Sequence, residues 1–172
     1  MIAPNLLSRS VLAAVFITAA SSIAFSQQDS LTSSPQHSVL KSQAVEYLYP
    51  EQVSVPAGKP TPVTLHFRIQ QNLHINSHTP RADFLIPTVF SVPENSGVKL
   101  ANVIYPAGVD FALPSDPDQK LSVYAGDFTI QTRIVSTPGN HLVEAKLRYQ
   151  ACDQTQCLPP KTITVPIDVI GK

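Results

Sequence analysis

Two cysteines that lie close together near the C-terminus give this chain its clearest chemistry. Cys152 and Cys157 are its two cysteines, within the segment Tyr-Gln-Ala-Cys-Asp-Gln-Thr-Gln-Cys-Leu-Pro-Pro at residues 149–160. In an oxidising compartment such a pair forms a disulfide. That disulfide can be an inert staple, or it can exchange with an incoming thiolate through a mixed disulfide.

The short loop between the cysteines favours exchange over a staple. A bridge around about six residues restricts the unfolded chain by roughly 2 kcal/mol, against more than about 4 kcal/mol for a loop of about 100 residues. The residues between the cysteines are polar, so the bridge should stay near solvent, where a thiolate can attack a sulfur. Pro159 and Pro160 stiffen the exit of the loop. The alternative is a non-catalytic binding or structural domain with an inert disulfide.

The N-terminus has the pattern of a signal peptide. Arg9 precedes an apolar run at residues 11–20, and a small-residue triplet follows at residues 24–26. The run is shorter than the about 20 apolar residues that cross a bilayer. We therefore expect cleavage near Ser26 and a periplasmic or secreted location for the mature protein.

The rest of the chain has the size and charge of one nearly neutral domain. Removing residues 1–26 takes away one of the 12 basic residues and none of the 12 acidic ones. Proteins that bind nucleic acid carry an excess of positive charge, which this nearly neutral domain lacks, so we expect no nucleic-acid partner. Residues 27–43 are polar and rich in Ser and Gln, which predicts a flexible leader. Residues 44–172 are predicted to form a single domain.

Alternation of apolar and polar residues predicts strands throughout this domain. Val63, Leu65, Phe67 and Ile69 share one face of an extended segment, the pattern of a half-buried strand. The same pattern predicts strands over residues 128–134, 143–149 and 163–169. Weaker patterns predict strands over residues 46–48, 52–55, 85–92 and 98–105. Frequent prolines leave little room for a helix.

These strands predict an all-β fold, an immunoglobulin-like antiparallel β-sandwich. Pro-Gly-Asn at residues 138–140 predicts a turn between two strands. Pro166 lacks an N–H, so the last strand should lie at an edge or turn Pro166 to an unpaired side. The acidic group of Asp110, Asp116 and Asp118 is interrupted by prolines and predicts a solvated loop.

The sequence gives little support for a metal site, a hydrolase active site or a nucleotide-binding site. His74 and His78 can be combined with the cysteines into a Cys2His2 site. They flank a strand end, however, and an oxidising compartment favours a disulfide over thiolate ligands. The sequence shows no Ser-His-Asp order, glycine-rich phosphate loop or paired-carboxylate motif. We therefore expect no metal and no other cofactor.

A longer motif surrounds the cysteines. It reads Tyr-Gln-x-Cys-x4-Cys-x-Pro-Pro-Lys-Thr-x-Thr-Val-Pro over residues 149–166. It is accompanied by Leu-Ser-Val-Tyr-Ala-Gly at 121–126, Asn-Leu-His-Ile-Asn at 72–76 and Phe-Leu-Ile-Pro at 84–87. Together these segments resemble the N-terminal periplasmic domain of DsbD, a thiol:disulfide interchange protein that carries reductant across the inner membrane. The resemblance covers most of residues 44–170.

The resemblance implies an immunoglobulin-like fold that relays electrons through its cysteines. Cys152 and Cys157 match the redox pair of the family, with Cys157 as the attacking thiol. In the family a thioredoxin-like domain reduces this pair, which then reduces periplasmic partners. Because the chain ends at Lys172, soon after the last predicted strand, we expect a monomeric stand-alone module. It would receive electrons from a separate membrane thiol reductase and pass them to oxidised exported proteins.

The resemblance also implies a shield around the cysteines. In the family a cap loop covers the pair and moves aside for a partner, and Val123 and Tyr124 match this loop. His74 and Asn76 fall where the family places aromatic residues beside the cysteines. This chain differs from the family pattern in having one residue fewer between the cysteines and a smaller residue at Val123.

Overall fold

All regular secondary structure in the described part of this protein is β-strand. The computed structural model describes residues 43–49 and 51–172, which contain twelve strands. This confirms the predicted all-β class. Within these ranges no helix is long and apolar enough to span a membrane. The predicted signal peptide, residues 1–26, and the leader up to residue 42 lie outside the described residues.

Two four-stranded sheets form a sandwich. The first contains, in spatial order, β1 (Val45–Tyr47), β3 (Thr61–Ile69), β9 (Asp127–Ser136) and β6 (Val98–Ile104), all antiparallel. The second contains β2 (Glu51–Val55), β12 (Lys161–Gly171), β10 (Gly139–Tyr149) and β5 (Val89–Ser91). β2 runs parallel to β12, and the other pairs are antiparallel. The predicted antiparallel, immunoglobulin-like sandwich is therefore confirmed.

The inner faces of the two sheets share one hydrophobic core. In β3, Leu65 and Phe67 are fully buried, whereas His66 between them is half-buried. From the other sheet, β12 contributes the fully buried Val165 and Val169. Each strand buries one side against the opposite sheet, which is why apolar residues recur at every second position.

The strand pairing gives the outcome of two predictions, the turn at residues 138–140 and the position of Pro166 in the last strand. Pro-Gly-Asn at residues 138–140 lies where β9 is linked to β10, as predicted, but only Pro138 is in the connection, since Gly139 and Asn140 already belong to β10. Gly139 has a φ of 113°, which favours glycine. β12 has neighbours on both sides and is not an edge strand. Its pairing with β2 begins at Ile167, however, so Pro166 lies just before that ladder starts. The second predicted arrangement, in which Pro166 meets an unpaired side, is the one the fold adopts.

A third sheet, which the sequence patterns did not predict, carries the cysteine segment. In spatial order it contains β11 (Ala151–Cys152), β4 (His74–Asn76), β8 (Asp116–Tyr124) and β7 (Val109–Leu113). The three aspartates are exposed to solvent, as predicted, but the prediction of a loop is wrong, because they lie on the β7–β8 hairpin. Asp110 forms an ion pair with Arg81 there. The first five residues of β8 are exposed, so no apolar alternation marked this strand.

The third sheet is packed on both faces. One face joins the main core through Ile75, Tyr124 and Ala151, which are aligned by the strand register. Neighbouring residues of a strand point to opposite faces. The other face therefore carries His74, Asn76, Val123 and Cys152. On that side Val123 packs with Leu85 and Leu121 in a second, small core.

Candidate functional site

Cys152 and Cys157 form a disulfide at the neck of a tight hairpin. The two residues oppose each other as an isolated antiparallel bridge. Backbone hydrogen bonds of 2.9 and 2.8 Å join the residues on either side of them. The cysteines are thus a non-hydrogen-bonded pair, the type in which opposed Cα atoms come within about 4.5 Å. Their Cα–Cα distance is 3.9 Å, shorter than the about 4.4–6.8 Å usual for a disulfide.

The two cysteines differ in exposure. Cys152 is only 2% exposed, because β11 is part of the third sheet and lies beside β4. Cys157 is exposed to solvent. A thiolate that approaches from solvent can therefore reach Cys157, whereas the fold covers Cys152. The structure agrees with the sequence-based expectation that the bridge lies near solvent, and the exposed side of the bridge is that of Cys157.

The side chain of Asp153 holds the turn between the cysteines. Its Oδ1 accepts hydrogen bonds from the backbone N of Thr155 (2.7 Å), the hydroxyl of Thr155 (2.8 Å) and the backbone N of Gln156 (2.8 Å). These bonds, led by the one from the Thr155 amide, lower the pKa of Asp153 because they favour the charged carboxylate. An aspartate in this position builds a local turn that brings the cysteines face to face.

Asp153→Ala should loosen this turn, because two backbone amides lose their acceptor. We expect the amides of Thr155 and Gln156 to exchange with deuterium about fivefold faster at pH 6 than in wild type. Asp153→Asn, which keeps an acceptor oxygen, is the matched control and should exchange more slowly than the alanine variant. Since the folded-state pKa of Asp153 is lowered, the wild-type turn should be most protected above pH about 3.9 and lose protection as pH falls through the folded value. Equal exchange in both variants would contradict this role.

His74 on β4 is paired with Cys152 on the adjacent strand β11. It is 3% exposed, and its ring packs against that of Phe111 with 4.1 Å between centroids. Burial lowers the pKa of His74, and the charge of Asp153 partly opposes this shift. Its Nε2 atom is buried and has no hydrogen-bond partner among the described residues. A neutral imidazole therefore lies beside the disulfide.

Asn76 links three segments around the hairpin. It is fully buried, and its Nδ2 donates to the carbonyl of Ile86 (3.1 Å) and to Oε1 of Gln150 (3.3 Å). Gln150 Nε2 in turn donates to the carbonyl of Leu158 (3.2 Å), immediately after the second cysteine. This chain of hydrogen bonds fastens both sides of the cysteine hairpin to β4 and to the 84–87 segment.

The structure separates the two residues expected in the cap loop. Val123 is fully buried, pairs with Asn76 and faces the same side of the sheet as Cys152. Tyr124 faces the main core, where its ring stacks on Phe128 and its hydroxyl donates to the carbonyl of Pro106 (3.1 Å). The structure thus brings His74, Asn76 and Val123 to the cysteine side and leaves Tyr124 on the other. Their assigned roles at the cysteines stay predictions.

Two residues of the site were missed from the sequence. Phe111, which covers His74, lies on β7 in the stretch predicted to be a solvated loop. The alternation of Val109, Phe111 and Leu113 was the signal that marked it. Gln150 stands inside the quoted motif beside Cys152, but its bonds to Asn76 and Leu158 follow only from tertiary structure.

The histidines and cysteines do not assemble into a metal centre in the described part of the chain. No group of three or more His, Cys, Asp or Glu side chains there is placed to hold a metal ion. His78 stacks on Tyr105, with centroids 3.8 Å apart, and its Nδ1 lies 2.9 Å from the carbonyl of Thr88. It therefore belongs to a different cluster from His74.

Comparison with known proteins connects this site to one family. The family model for "Thiol:disulfide interchange protein DsbD, N-terminal" matches residues 44–168. Among solved structures, the chain is similar to the N-terminal domain of Neisseria meningitidis DsbD in its reduced form. The sequences are 16% identical, the match covers 67% of this chain and 82% of that one, and the TM-score is 0.46. No curated protein matches the chain significantly.

Proposed function

Because the chain belongs to the family of DsbD N-terminal domains, which are thiol–disulfide exchange modules, we propose that it relays reducing equivalents to oxidised exported proteins. The family match confirms the resemblance inferred from the motif around the cysteines. The electron donor in this proposal is a thioredoxin-like domain or a membrane thiol reductase. The observation that carries the proposal is the asymmetric disulfide, with Cys157 exposed and Cys152 buried.

The proposed cycle starts with reduction of the bridge. A donor thiolate attacks the sulfur of Cys157, a new S–S bond forms, and Cys152 leaves as a thiolate with the electron pair of the broken bond. A second donor thiol attacks the donor's own sulfur and releases the Cys157 thiolate. Two electrons have then passed to the protein, and the donor leaves as a disulfide.

Reduction of an acceptor repeats the exchange in the opposite direction. The exposed Cys157 thiolate attacks an acceptor disulfide and forms a mixed disulfide. The Cys152 thiolate then attacks the Cys157 sulfur, which restores the intramolecular bridge and releases the acceptor as a dithiol once protons from solvent are added. The same two sulfurs act in both halves, and the surrounding sheets stay folded.

Export is part of the proposal. The predicted signal peptide at residues 1–26 would direct the chain to an oxidising compartment, where the cysteines form the disulfide. The membership of a family of periplasmic domains supports the same location. We propose residues 44–172 as the functional domain.

The reduction potential of the disulfide separates this function from the alternative of an inert bridge. We expect the purified protein, equilibrated in dithiol redox buffers and alkylated, to show a potential clearly above about −300 mV. An inert structural disulfide should lie below that value and resist the glutathione pool. A measured potential below it would refute the exchange function and favour a non-catalytic sandwich.

A further inference from the structure

Two buried polar atoms on the Cys152 face of the third sheet have no hydrogen-bond partner among the described residues, His74 Nε2 and Asn76 Oδ1. Of the two residues, His74 lies directly opposite Cys152. His74 is buried, yet its Nε2 forms no hydrogen bond within the described residues. Leaving a buried polar atom without a partner has a free-energy cost that an apolar side chain would avoid. The proposed cycle contains a state in which this atom would gain a partner, because opening the disulfide creates a thiol or thiolate at Cys152.

We propose that His74 is the acid–base partner of Cys152: in the reduced protein it takes the proton of the Cys152 thiol before that sulfur attacks to re-form the bridge. This inference rests on the proposed function and adds to it a residue that the cysteine motif does not contain.

Strand register places the two side chains together. Asn76 and Gln150 are a hydrogen-bonded pair across β4 and the cysteine segment, with a backbone bond of 3.3 Å. Pair types alternate along an antiparallel ladder, so His74 and Cys152, two positions further on, are again of the hydrogen-bonded type. Their Cα atoms are therefore about 5.5 Å apart and their side chains extend from the same face.

The apolar neighbours of His74 disfavour its protonation, whereas one nearby charge favours it. Phe111 of β7 packs on its ring, and the facing residues of β8 are apolar. On the hairpin, Asp153 is the charged residue that acts on it, and it favours the imidazolium. Arg81, from the segment before β5, is paired with Asp110. In the oxidised protein burial keeps His74 neutral, and a nearby thiolate would stabilise its protonated form.

The proton and electron pair can be followed through the resolving step. In the mixed disulfide between Cys157 and an acceptor, the Cys152 thiol transfers its proton to His74 Nε2. The resulting thiolate attacks the Cys157 sulfur, forming the Cys152–Cys157 bond and breaking the bond to the acceptor. The acceptor sulfur leaves with the electron pair, and the imidazolium returns its proton to solvent or to that thiolate. His74 is neutral again at the end of the step.

A variant pair isolates this role in solution. Cys157→Ser leaves Cys152 as the one titrating thiol, whose thiolate is followed by its absorbance near 240 nm as pH rises. We expect Cys152 to titrate at least about one pH unit lower with His74 than with His74→Phe, because the imidazolium stabilises the thiolate. His74→Gln, which cannot take up a proton, should behave like His74→Phe and serves if the phenylalanine variant does not fold. His66→Phe, on β3, is the matched control and should leave the titration unchanged.

Stability and exchange provide a second test with the cysteine pair intact. His74→Phe should fold at least as stably as wild type, since it removes an unpartnered buried nitrogen. Its exchange with a small disulfide should nevertheless be several-fold slower at pH 6 and approach the wild-type rate above pH 9, where the thiol ionises unaided. Identical Cys152 titration curves with and without His74 would overturn the assignment. If the titration curves differ but neither protein exchanges, the proposed function fails while the His74–Cys152 pairing stands.

Discussion

Replacing Cys157 by serine is expected to lower the rate of thiol–disulfide exchange by at least about 10³-fold, because the loss of an essential nucleophile has effects of this size. Cys157 is the exposed member of the pair, so its removal leaves a single thiol that the fold keeps only 2% exposed. The rate of reduction of a thioredoxin-like partner's disulfide, followed by alkylation of the released thiols, measures the loss.

Replacement of the other cysteine, Cys152, by serine is the matched control. Cys152→Ser also stops turnover, but it leaves the exposed thiol of Cys157 without a resolving partner. Mixed disulfides with thioredoxin-like partners should then accumulate on the Cys152→Ser protein and not on Cys157→Ser, as a gel without reductant would show. Equal trapping by the two variants would contradict the order of attack inferred from exposure. Absence of adducts with either variant would favour an inert staple.

Phe67→Ala should lower the free energy of unfolding by about 3–5 kcal/mol, the range typical of removing a buried aromatic ring from a core. Phe67 is fully buried, and its ring packs between Tyr47 and Phe128 at centroid distances of 5.4 and 5.1 Å. Phe128 in turn stacks on Tyr124 of the third sheet. Removing the Phe67 ring therefore leaves a cavity in the aromatic row that joins the sandwich to the cysteine-bearing sheet.

Urea unfolding monitored by circular dichroism measures this effect, and Phe84 provides a control of the same residue type. Phe84 is 76% exposed, so Phe84→Ala should change stability by less than about 0.5 kcal/mol. A similar small change for Phe67→Ala would show that its cavity collapses and that the aromatic row does not carry the expected packing energy.

The two sulfurs of the disulfide are held by different parts of the structure. β11 contributes only Ala151 and Cys152 to the third sheet, and Ala151 belongs to the main core. The turn beyond Cys152 is held by Asp153 and by the link from Gln150 to Leu158. The buried sulfur is thus fixed by the sheet, whereas the exposed sulfur is fixed by a local hairpin. Such an arrangement allows S–S bonds to exchange without opening the hydrophobic core.

The sequence by itself determined the sandwich and the reactive pair. The strands around residues 63–69, 128–134, 143–149 and 163–169 were predictable because each buries one face, which leaves a period of two in the sequence. The disulfide was expected from two cysteines close together in a chain with a predicted signal peptide. The family was predictable from the motif at residues 149–166, and its match over residues 44–168 confirms it.

Only the tertiary structure decided how the site is built. The third sheet was not predicted, since β4, β8 and β11 are short or largely exposed and carry no regular apolar pattern, and the alternation in β7 was interpreted as part of a solvated loop. Residues 74 and 152 become neighbours through pairing of β4 with β11, a non-local contact that no local propensity encodes. The same register buries Cys152, leaves Cys157 in solvent and turns Tyr124 into the main core. Which face a short strand buries depends on its partners, so side-chain direction and exposure are properties of the assembled sheets.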